Sequence, residues 1–469
     1  MSVDPRTERL ATDPLGPLLL RFSLPVIVHL VVVALYNLVD RIFVGRGVGP
    51  TALAAVTVSF PLFIALGGVA LTFGQGASAL VSLSLGRGDR ARAGSAQGTA
   101  LVAGAAASAA VAAAAGLWLR PLLVAFGGTG EVLAQAERFA AVSLVGLVLQ
   151  SVATTLGMTI RSAGSPGVSF RIALAGTAVN LVLNPVFIFG MGLGVVGSAL
   201  ATCAAEAAGL ALALAHVCVR RGALPLRRAH LVPGPEVLRR ILTLGAPPFF
   251  MHLALTAIMA ISNRAVAAHG GPTGIAVMGI LYVIYPLVLL PLAGLSAGVQ
   301  PVLGYNFGAG DLARVRGALR IALVVATAVC ASVWLPLLAW SGPAVRLFVG
   351  NDAPAGAVGP GAVRTFFALL PLVGAQVVGA GYFQAVGKAG LSFFANLLRQ
   401  VFVLVPLLLV LPPFLGLEGV WLANPLSDGI SAAITLALLL PELRRLSRPG
   451  PRRPAEAPAR DPDVTGCPA

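Results

Sequence analysis

Charged residues are scarce in this chain: they make up 10% of its 469 residues, whereas 57% of the residues are hydrophobic. A typical soluble domain carries roughly 25% charged residues. A soluble protein of this composition could not keep so much apolar surface away from water. The scarcity of charge therefore excludes an ordinary soluble domain and indicates a protein embedded in a lipid bilayer.

Cysteine and histidine are few, and they are not clustered. The four cysteines have no CxxC spacing and two lie in apolar runs, so we expect neither a disulfide framework nor a zinc site. The five histidines form no metal-spaced motif, and no Ser/His/Asp set lies near one membrane face. We therefore expect no catalytic residues, no metal, no cofactor and no enzymatic activity.

The formal net charge of +15 raises the question of nucleic-acid binding. The basic residues, however, lie in short bursts between apolar runs, as juxtamembrane arginines do. The main bursts fall within residues 87–92, 220–240 and 444–453. This distribution predicts a lipid bilayer, and no nucleic acid, as the partner of these charges.

The apolar sequence is one half written twice. Residues 85–92 return as residues 307–314 at an offset of 222, with Gly, Gly, Asp, Ala and Arg in register. The same offset, within one residue, relates Pro25 to Pro248 and Gly197 to Gly419. A duplicated hydrophobic half is common in secondary transporters, whose substrate site lies between the repeats.

Twelve runs are long and apolar enough to cross the hydrocarbon core, which needs about 20 residues. They cover about residues 17–44, 51–82, 94–118, 132–158, 168–190, 194–217, 238–262, 273–299, 318–340, 361–384, 391–412 and 416–440. The N-terminus, the loops after the even-numbered runs and the C-terminal tail hold most of the arginines. The positive-inside rule then places both termini in the cytoplasm.

The predicted fold is an all-α polytopic membrane protein. Six helices per half is an even number, so the two six-helix lobes are related by a parallel pseudo-two-fold repeat. The expected segments are a cytoplasmic N-terminal tail, an N-lobe with helices 1–6, a cytoplasmic inter-lobe linker, a C-lobe with helices 7–12 and a disordered basic cytoplasmic tail. Their bounds are 1–16, 17–218, 219–236, 237–441 and 442–469.

Three carboxylates lie inside the predicted helices, where each costs roughly 2.5–3.5 kcal/mol at a helix centre. Asp40 lies in the outer part of helix 1, Glu206 in the middle of helix 6 and Asp428 in helix 12. Asp40 is favoured for a functional role, because Arg41 can reach the outer surface while Asp40 points inward. Glu206 fits either a structural hydrogen bond or a second protonation site. Asp428 fits a protonation site or an anchor for Asn424 or a neighbouring helix end.

Four segments in order carry a resemblance to a known family. They are Leu35-Tyr36-Asn37-Leu38-Val39-Asp40-Arg41-Ile42-Phe43-Val44-Gly45, Asn184-Pro185-Val186-Phe187-Ile188-Phe189-Gly190, Gly298-Val299-Gln300-Pro301-Val302-Leu303-Gly304-Tyr305-Asn306-Phe307-Gly308-Ala309 and Gly419-Val420-Trp421-Leu422-Ala423-Asn424-Pro425. Together with twelve helices and the half-repeat, they resemble the multidrug and toxic compound extrusion (MATE) family across about residues 15–440. The resemblance implies a V-shaped pair of six-helix lobes that exports cationic, amphipathic compounds, driven by inward protons or sodium ions.

The resemblance also implies an ion site in the N-lobe, built in several family members from an Asp in helix 1, an Asn and an Asp in helix 5 and a Thr in helix 6. Asp40, Asn180 and Thr202 match that pattern here, whereas Asn184 replaces the second Asp. Hard cations favour charged oxygen ligands, so this departure weakens a sodium site and favours protonation of Asp40. Glu206, one turn beyond Thr202, is a hypothetical replacement for the missing carboxylate. Other members of the resembled family carry acidic residues in helices 7, 8 or 10. Those helices have none here, so the resemblance does not imply an ion site in the C-lobe.

The sequence also offers candidate residues for a substrate cleft. Tyr36, Asn37, Met158 and Tyr282 are candidate lining residues, because methionine and aromatic surfaces suit varied amphipathic ligands. At helical spacing, such residues also serve as packing residues.

Two prolines are expected to bend helices. Pro25 stands where the bending proline of the resembled family lies, and Pro301 is expected to break or bend helix 8.

The predicted function is a secondary active antiporter that exports amphipathic, cationic drugs or toxic compounds in exchange for inward protons, by alternating access between two lobes. We expect it to act as a monomer in a prokaryotic cytoplasmic (inner) membrane. Sodium coupling remains open, as does an exporter or flippase of an endogenous metabolite or a lipid-linked substrate. A flippase for anionic headgroups would need several arginines inside the cleft, and the candidates lie mostly near predicted helix ends. They are Arg41, Arg264, Arg364 and Arg399.

Overall fold

The protein is almost entirely helical. The structure, a computed structural model, describes residues 5–218, 224–349 and 353–447, and within these ranges it contains no strand. The long helices of the first half are α1 (Leu15–Gly47), α2 (Pro50–Gly86), α3 (Arg90–Leu117), α4 (Gly130–Ser162), α5 (Pro166–Pro185, followed by a π-helical turn, Val186–Gly190) and α6 (Gly194–Cys218). Those of the second half are α7 (Pro235–Gly271), α8 (Thr273–Ala309), α9 (Leu312–Ala339), α10 (Ala353–Phe366 and Leu370–Ala385), α11 (Ala389–Leu415, π-helical over Leu398–Leu404) and α12 (Leu417–Leu446).

Eleven of these helices are long and apolar enough to cross a membrane, and α10 is a further span in two pieces bent by 42°. A straight helix of about 20 residues covers the hydrocarbon core, and the unbroken spans have 25 to 37 residues. The prediction of twelve transmembrane helices is therefore confirmed. Shorter helices lie at Pro5–Thr12, Leu119–Ala125, Arg228–Leu231 and Ser341–Val349.

The two halves repeat each other in backbone detail. Gly88 and Gly310 both adopt positive φ, at 79° and 81°. The next residues, Asp89 and Asp311, each cap the following helix by accepting a hydrogen bond from the backbone amide three residues on, at 2.8 and 3.0 Å. The chain therefore reverses its direction at equivalent positions in the two halves, just before a helix whose first turn contains arginine.

Helix breaks repeat in the same way. Gly49 separates α1 from α2, and Gly271, its equivalent at the offset of 222, separates α7 from α8; both have positive φ. Gly194 and Gly416, also 222 residues apart, have φ of 58° and 59° and lie at the starts of α6 and α12. Two six-helix lobes related by a parallel repeat account for these coincidences, as the sequence predicts.

The lobes meet along a close seam between α1 and α2 of the N-lobe and α7 and α8 of the C-lobe. A Cβ added to Gly76 would collide with the carbonyl oxygen of Ile241, and one added to Gly245 would collide with that of Thr72. Further glycines that bring the backbones together in the same way are Gly86, Gly294, Gly298 and Gly308. All lie in the halves of these helices nearest the arginine-rich loops, here called the Arg-rich end, so the lobes are closed together at that end.

The expected helix-bending prolines lie inside continuous helices. Pro25 lies within α1 and Pro301 within α8, which runs on to Ala309. Each proline lacks the amide hydrogen that would bond to the carbonyl four residues earlier. Of the two expected effects of Pro301, a break of helix 8 does not occur, because α8 continues to Ala309; a bend there stays a prediction.

Both predicted terminal tails include residues that are helical in the structure. Residues 5–12 of the expected N-terminal tail are helical, and Asn306 donates to the carbonyl oxygen of Leu10 at 3.0 Å. The expected disordered tail was placed too early, because α12 continues to Leu446. Glu442 accepts hydrogen bonds from Tyr382 and Lys388, which hold this last turn. Residues 219–223 of the expected linker and 448–469 of the expected tail lie outside the described residues.

Adding one methyl group at the seam should loosen it. We expect Gly298→Ala to lower the thermal unfolding temperature of the purified protein, because its Cβ would clash with the Ser23 backbone, and overpacking costs about 1–3 kcal/mol. Gly279→Ala, in the same helix but with nothing within 4 Å, is the matched control and should leave the temperature unchanged or raise it. Equal effects of the two variants would contradict a tight seam at Gly298.

Candidate functional site

The carboxylate of Asp40 is held between three helices of the N-lobe. Asn184 of α5 donates its Nδ2 hydrogen to Asp40 Oδ1, and Ser198 of α6 donates its hydroxyl to the same oxygen at 2.8 Å. Asp40 is half-buried, whereas Asn184 and Ser198 are each 1% exposed. Two donors from neighbouring helices therefore fix the position of this carboxylate oxygen in an otherwise apolar span.

A second contact lies one helical turn deeper between the same two helices. Asn180 donates its Nδ2 hydrogen to Thr202 Oγ1 at 3.2 Å, and Asn180 is 3% exposed. Residues 180 and 184 are four apart on α5, and residues 198 and 202 are four apart on α6, so each pair shares a helix face. The antiparallel helices therefore stack their polar pairs into successive layers.

Glu206 forms the third layer. Its Oε1 accepts a hydrogen bond from Gln150 Nε2 of α4 at 3.2 Å, and both side chains are half-buried. The phenol of Tyr36, on α1, lies close enough to interact electrostatically with Glu206 and with Asp40. We call these three layers the polar ladder, defined by Asp40, Asn184, Ser198, Asn180, Thr202, Glu206 and Gln150.

All five residues predicted for ion coupling lie on this ladder, although they do not form a single ligand shell. Asn180 and Thr202 bond to each other and not to Asp40. Asn184 reaches Asp40 and leaves its own Oδ1 buried without a hydrogen-bond partner. A buried acceptor beside a carboxylate suits a carboxyl proton or a cation, which are the two things this layer can take up.

The predicted cleft residues lie in different surroundings. Tyr36 faces the ladder, while Asn37, the next residue, is exposed on another face of α1. Met158 of α4 packs against Gly74 of α2. Tyr282 lies in the C-lobe, where its hydroxyl is beside Ser262. The structure therefore groups only Tyr36 with the ladder.

Two ladder members escaped the sequence reasoning. Ser198 lies four residues before Thr202 and eight before Glu206, and this spacing on one helix face could have revealed it. Gln150 gives no such signal, because it reaches Glu206 from a different helix.

The C-lobe neutralises the equivalent carboxylate. At the repeat offset of 222, Glu206 corresponds to Asp428, which accepts a hydrogen bond from Arg399 Nε at 2.6 Å. Arg399 is 6% exposed and Asp428 3%, and Arg399 also donates to the Tyr285 hydroxyl. Arg399 is therefore buried in an ion pair at the start of the π-helical part of α11.

The residues equivalent to Asp40 and Arg399 also differ between the lobes. At an offset of 223, which also relates Pro25 to Pro248, Asp40 corresponds to Asn263, so the C-lobe has no carboxylate at that position. Gly176 stands where the repeat would place Arg399, and it packs against the carbonyl of Ala205, so Glu206 has no arginine at that position. Among the described residues, no three His, Cys, Asp or Glu side chains come close enough together to hold a metal ion.

Comparison with known proteins gives one family. The sequence profile of the MatE family matches residues 25–186 and 247–409, once in each lobe. The multidrug export protein MepA of Staphylococcus aureus (strain NCTC 8325 / PS 47) is 25% identical over 430 residues, which cover 91% of this chain and 94% of MepA. MepA of Staphylococcus saprophyticus is 23% identical over 421 residues, which cover 90% and 92% of the two chains.

Solved structures share the fold. A multidrug resistance MATE family transporter in an outward-facing conformation matches with a TM-score of 0.85 at 24% identity, covering 96% of this chain and all of that one. A MATE structure in the bent conformation matches with 0.86 at 24% identity, covering 95% and 99%. A MOP superfamily transporter from Pyrococcus furiosus matches with 0.84 at 23% identity, covering 96% and 100%.

The buried ion pair of the C-lobe should depend on both partners. We expect Arg399→Met to lower the thermal unfolding temperature, because an unpaired buried Asp428 costs about 3–5 kcal/mol. The double variant Arg399→Met/Asp428→Leu should recover most of the loss. Arg320→Met, on the exposed face of α9, is the control. A single variant as stable as the wild type would contradict a compensated pair.

Restoring a carboxylate beside Asp40 should create a cation site. We expect Asn184→Asp to gain a sodium-dependent rise in thermal unfolding temperature, because two carboxylates and Ser198 would then surround one point. Binding at a hundred times the dissociation constant stabilises by about 2.7 kcal/mol. Asn396→Asp, at a half-buried asparagine of α11, is the control. If sodium stabilised Asn184→Asp no more than the control, the absence of a second carboxylate at position 184 would not be what limits cation binding.

Proposed function

The chain belongs to the MATE family, and on that premise we propose that it is a secondary active antiporter that exports amphipathic, cationic drugs or toxic compounds in exchange for inward protons. Export of drugs is supported by relatives that are named multidrug export proteins and that align over nine tenths of this chain. The same family membership supports a transporter rather than an enzyme.

The observation that carries the proposal is the environment of Asp40. Its carboxylate lies within a membrane span, accepts hydrogen bonds from Asn184 and Ser198, and is half-buried rather than sealed. Such a group can hold a proton or the positive end of a substrate, but not both at once. Protonation from outside then releases the substrate, and deprotonation towards the cytoplasm resets the site.

Alternating access follows from two lobes that rock about a seam. The seam is closed at the Arg-rich end, which the positive-inside rule assigns to the cytoplasm. In this state the ladder is reached from the other side, where protons enter. Opening requires the glycine-lined faces of α2 and α8 to separate.

Protons are favoured over sodium by the donor set around Asp40. Asn184 contributes an amide where a second carboxylate would strengthen the binding of a hard cation. Glu206 adds a second carboxylate two layers away, which we assign to the same proton pathway. We further propose that the protein acts as a monomer in a prokaryotic cytoplasmic membrane, with both termini in the cytoplasm.

The test uses everted membrane vesicles with an inside-acid proton gradient. Adding ethidium to wild-type vesicles should release protons with or without sodium. Asp40→Asn should lower that rate about tenfold or more, because a barrier higher by about 1.4 kcal/mol is a factor of ten. Glu131→Gln, which removes an exposed carboxylate at the outer end of α4, should leave the rate unchanged.

Other outcomes reassign the function. Normal proton release in Asp40→Asn together with its loss in Glu206→Gln would move the proton site to Glu206. A response that requires sodium would replace proton coupling with sodium coupling. No response to a broad panel of cations would overturn drug export in favour of an endogenous or lipid-linked substrate.

A further inference from the structure

The short helix Pro5–Thr12 leads into α1 of the N-lobe, but it lies against the C-lobe. Its Leu10 is 0% exposed and belongs to the apolar core that contains Val302 of α8. The side chain of Leu15, at the start of α1, covers Gly317 of α9. The segment before the first N-lobe span is therefore docked on α8 and α9, which are C-lobe helices.

Arg314, in the first turn of α9, binds the end of this docked helix. Its Nη2 donates to the carbonyl oxygens of Leu10 and Asp13, at 3.3 and 2.7 Å. Its Nε donates to Asn306 Oδ1 at 3.2 Å, and Asn306 in turn donates to the Leu10 carbonyl at 3.0 Å. We call these hydrogen bonds the Arg314 contact. It joins the N-terminal segment to two helices of the opposite lobe.

The sequence explains why these two carbonyls need an outside donor. In a helix, each carbonyl accepts a hydrogen bond from the amide four residues later. Four residues after Leu10 stands Pro14, and four residues after Asp13 stands Pro17. Proline has no amide hydrogen, and a buried carbonyl without a donor costs free energy. Arg314 supplies the hydrogens that the two prolines lack.

The repeat gives a second arginine contact between the lobes. Arg92 of α3, which is equivalent to Arg314 at the offset of 222, donates its Nη2 hydrogen to Glu236 Oε1 at 2.7 Å. Glu236 lies in the first turn of α7 and corresponds to Asp13 at the offset of 223. We call this ion pair the Arg92 contact. In each half, the same arginine therefore binds the start of the opposite lobe.

The two contacts differ in strength. The side chain of Glu236 is 76% exposed and that of Arg92 is 32% exposed, so water screens this pair. The Arg314 contact instead involves Asn306, which is 1% exposed, and three hydrogen bonds from one guanidinium. Hydrogen bonds to a charged group are among the stronger ones in proteins. The Arg314 contact is therefore the main one of the two.

The docked helix has little freedom to follow a moving lobe. It ends at Thr12, and α1 begins at Leu15, so only two residues join them. Two residues span at most about 7 Å. The start of α1 consequently stays close to α9 for as long as the Arg314 contact persists. Both contacts lie at the Arg-rich end, where Gly308 of α8 touches the Leu83 carbonyl of α2 across the seam.

We propose that the Arg314 contact, supported by the weaker Arg92 contact, is a latch that holds the Arg-rich end closed, and that the helix Pro5–Thr12 must detach before this end can open. The inference goes beyond the proposed function, since it concerns the opening of the lobes whatever compound or ion is carried. Arginine suits the role because its planar guanidinium reaches several fixed acceptors at once, whereas a lysine ammonium is a point charge.

The experiment measures the distance between two spin labels at the Arg-rich end. Gly167 at the start of α5 and Gly390 at the start of α11 are exposed, lie in different lobes, and have room for a side chain, with nothing within 4 Å. Both are changed to cysteine in the full chain, with the four native cysteines replaced by alanine. Double electron–electron resonance in nanodiscs then gives the ratio of long (open) to short (closed) distances.

Arg314→Met should raise the ratio of open to closed molecules about tenfold or more, because three hydrogen bonds to a charged group are lost. Deleting residues 2–12 should raise it similarly. Arg314→Lys should fall between Arg314→Met and the unchanged chain, and Arg92→Met should have a smaller effect because its partner is exposed. Arg316→Met, at an exposed arginine two residues further along α9, is the control and should leave the ratio unchanged.

Two results would overturn the latch. One is an unchanged ratio in both Arg314→Met and the deletion variant, even if either unfolds at a lower temperature, since the contacts would then only be structural. The other is an equal rise of the ratio in Arg316→Met. If Arg314→Met does not fold, the deletion variant decides alone, because it keeps Arg314 and removes the docked helix. The distances need no proton gradient, so a missing proton response in vesicles would overturn the antiport proposal and not the latch.

Discussion

The cost of placing charge in hydrocarbon governs this molecule. Water cannot stabilise a polar group inside a bilayer, so backbone groups must bond within helices and ionised side chains must find partners. The described spans meet the first requirement by being helical along nearly their whole length, with one break in α10. Asp428 obeys the second through Arg399, and Asp40 through Asn184 and Ser198. The proposed function depends on the carboxylates inside the spans that have no opposite charge beside them.

The two lobes share a backbone but differ in charge. Repeat-equivalent carboxylates at 206 and 428 face an amide in one lobe and a guanidinium in the other. Asp428 is paired with the opposite charge of Arg399, whereas the hydrogen-bond partner of Glu206 is the uncharged Gln150. Asp40 has only an asparagine as its counterpart. The coupling site that we propose therefore has no copy in the C-lobe, although the backbone of the two lobes is repeated.

The sequence predicts the spans well because their signal is local: about 20 apolar residues in a row suffice. The ladder residues Asn180, Asn184 and Thr202 came from family resemblance, and the structure brings them together with Asp40. The partners Gln150 and Arg399 could not be read from sequence, because each bond joins different helices. The extension of α12 was missed because Lys388 and Tyr382, far away in sequence, hold Glu442.

The glycine seam has a mechanical consequence. Where backbones touch through glycine, no side chain is threaded between the neighbouring residues of the opposite helix. Such faces can slide or part without any rotamer having to change first. At these glycines the helices are therefore in direct backbone contact, and separating them there mainly exposes apolar surface to water.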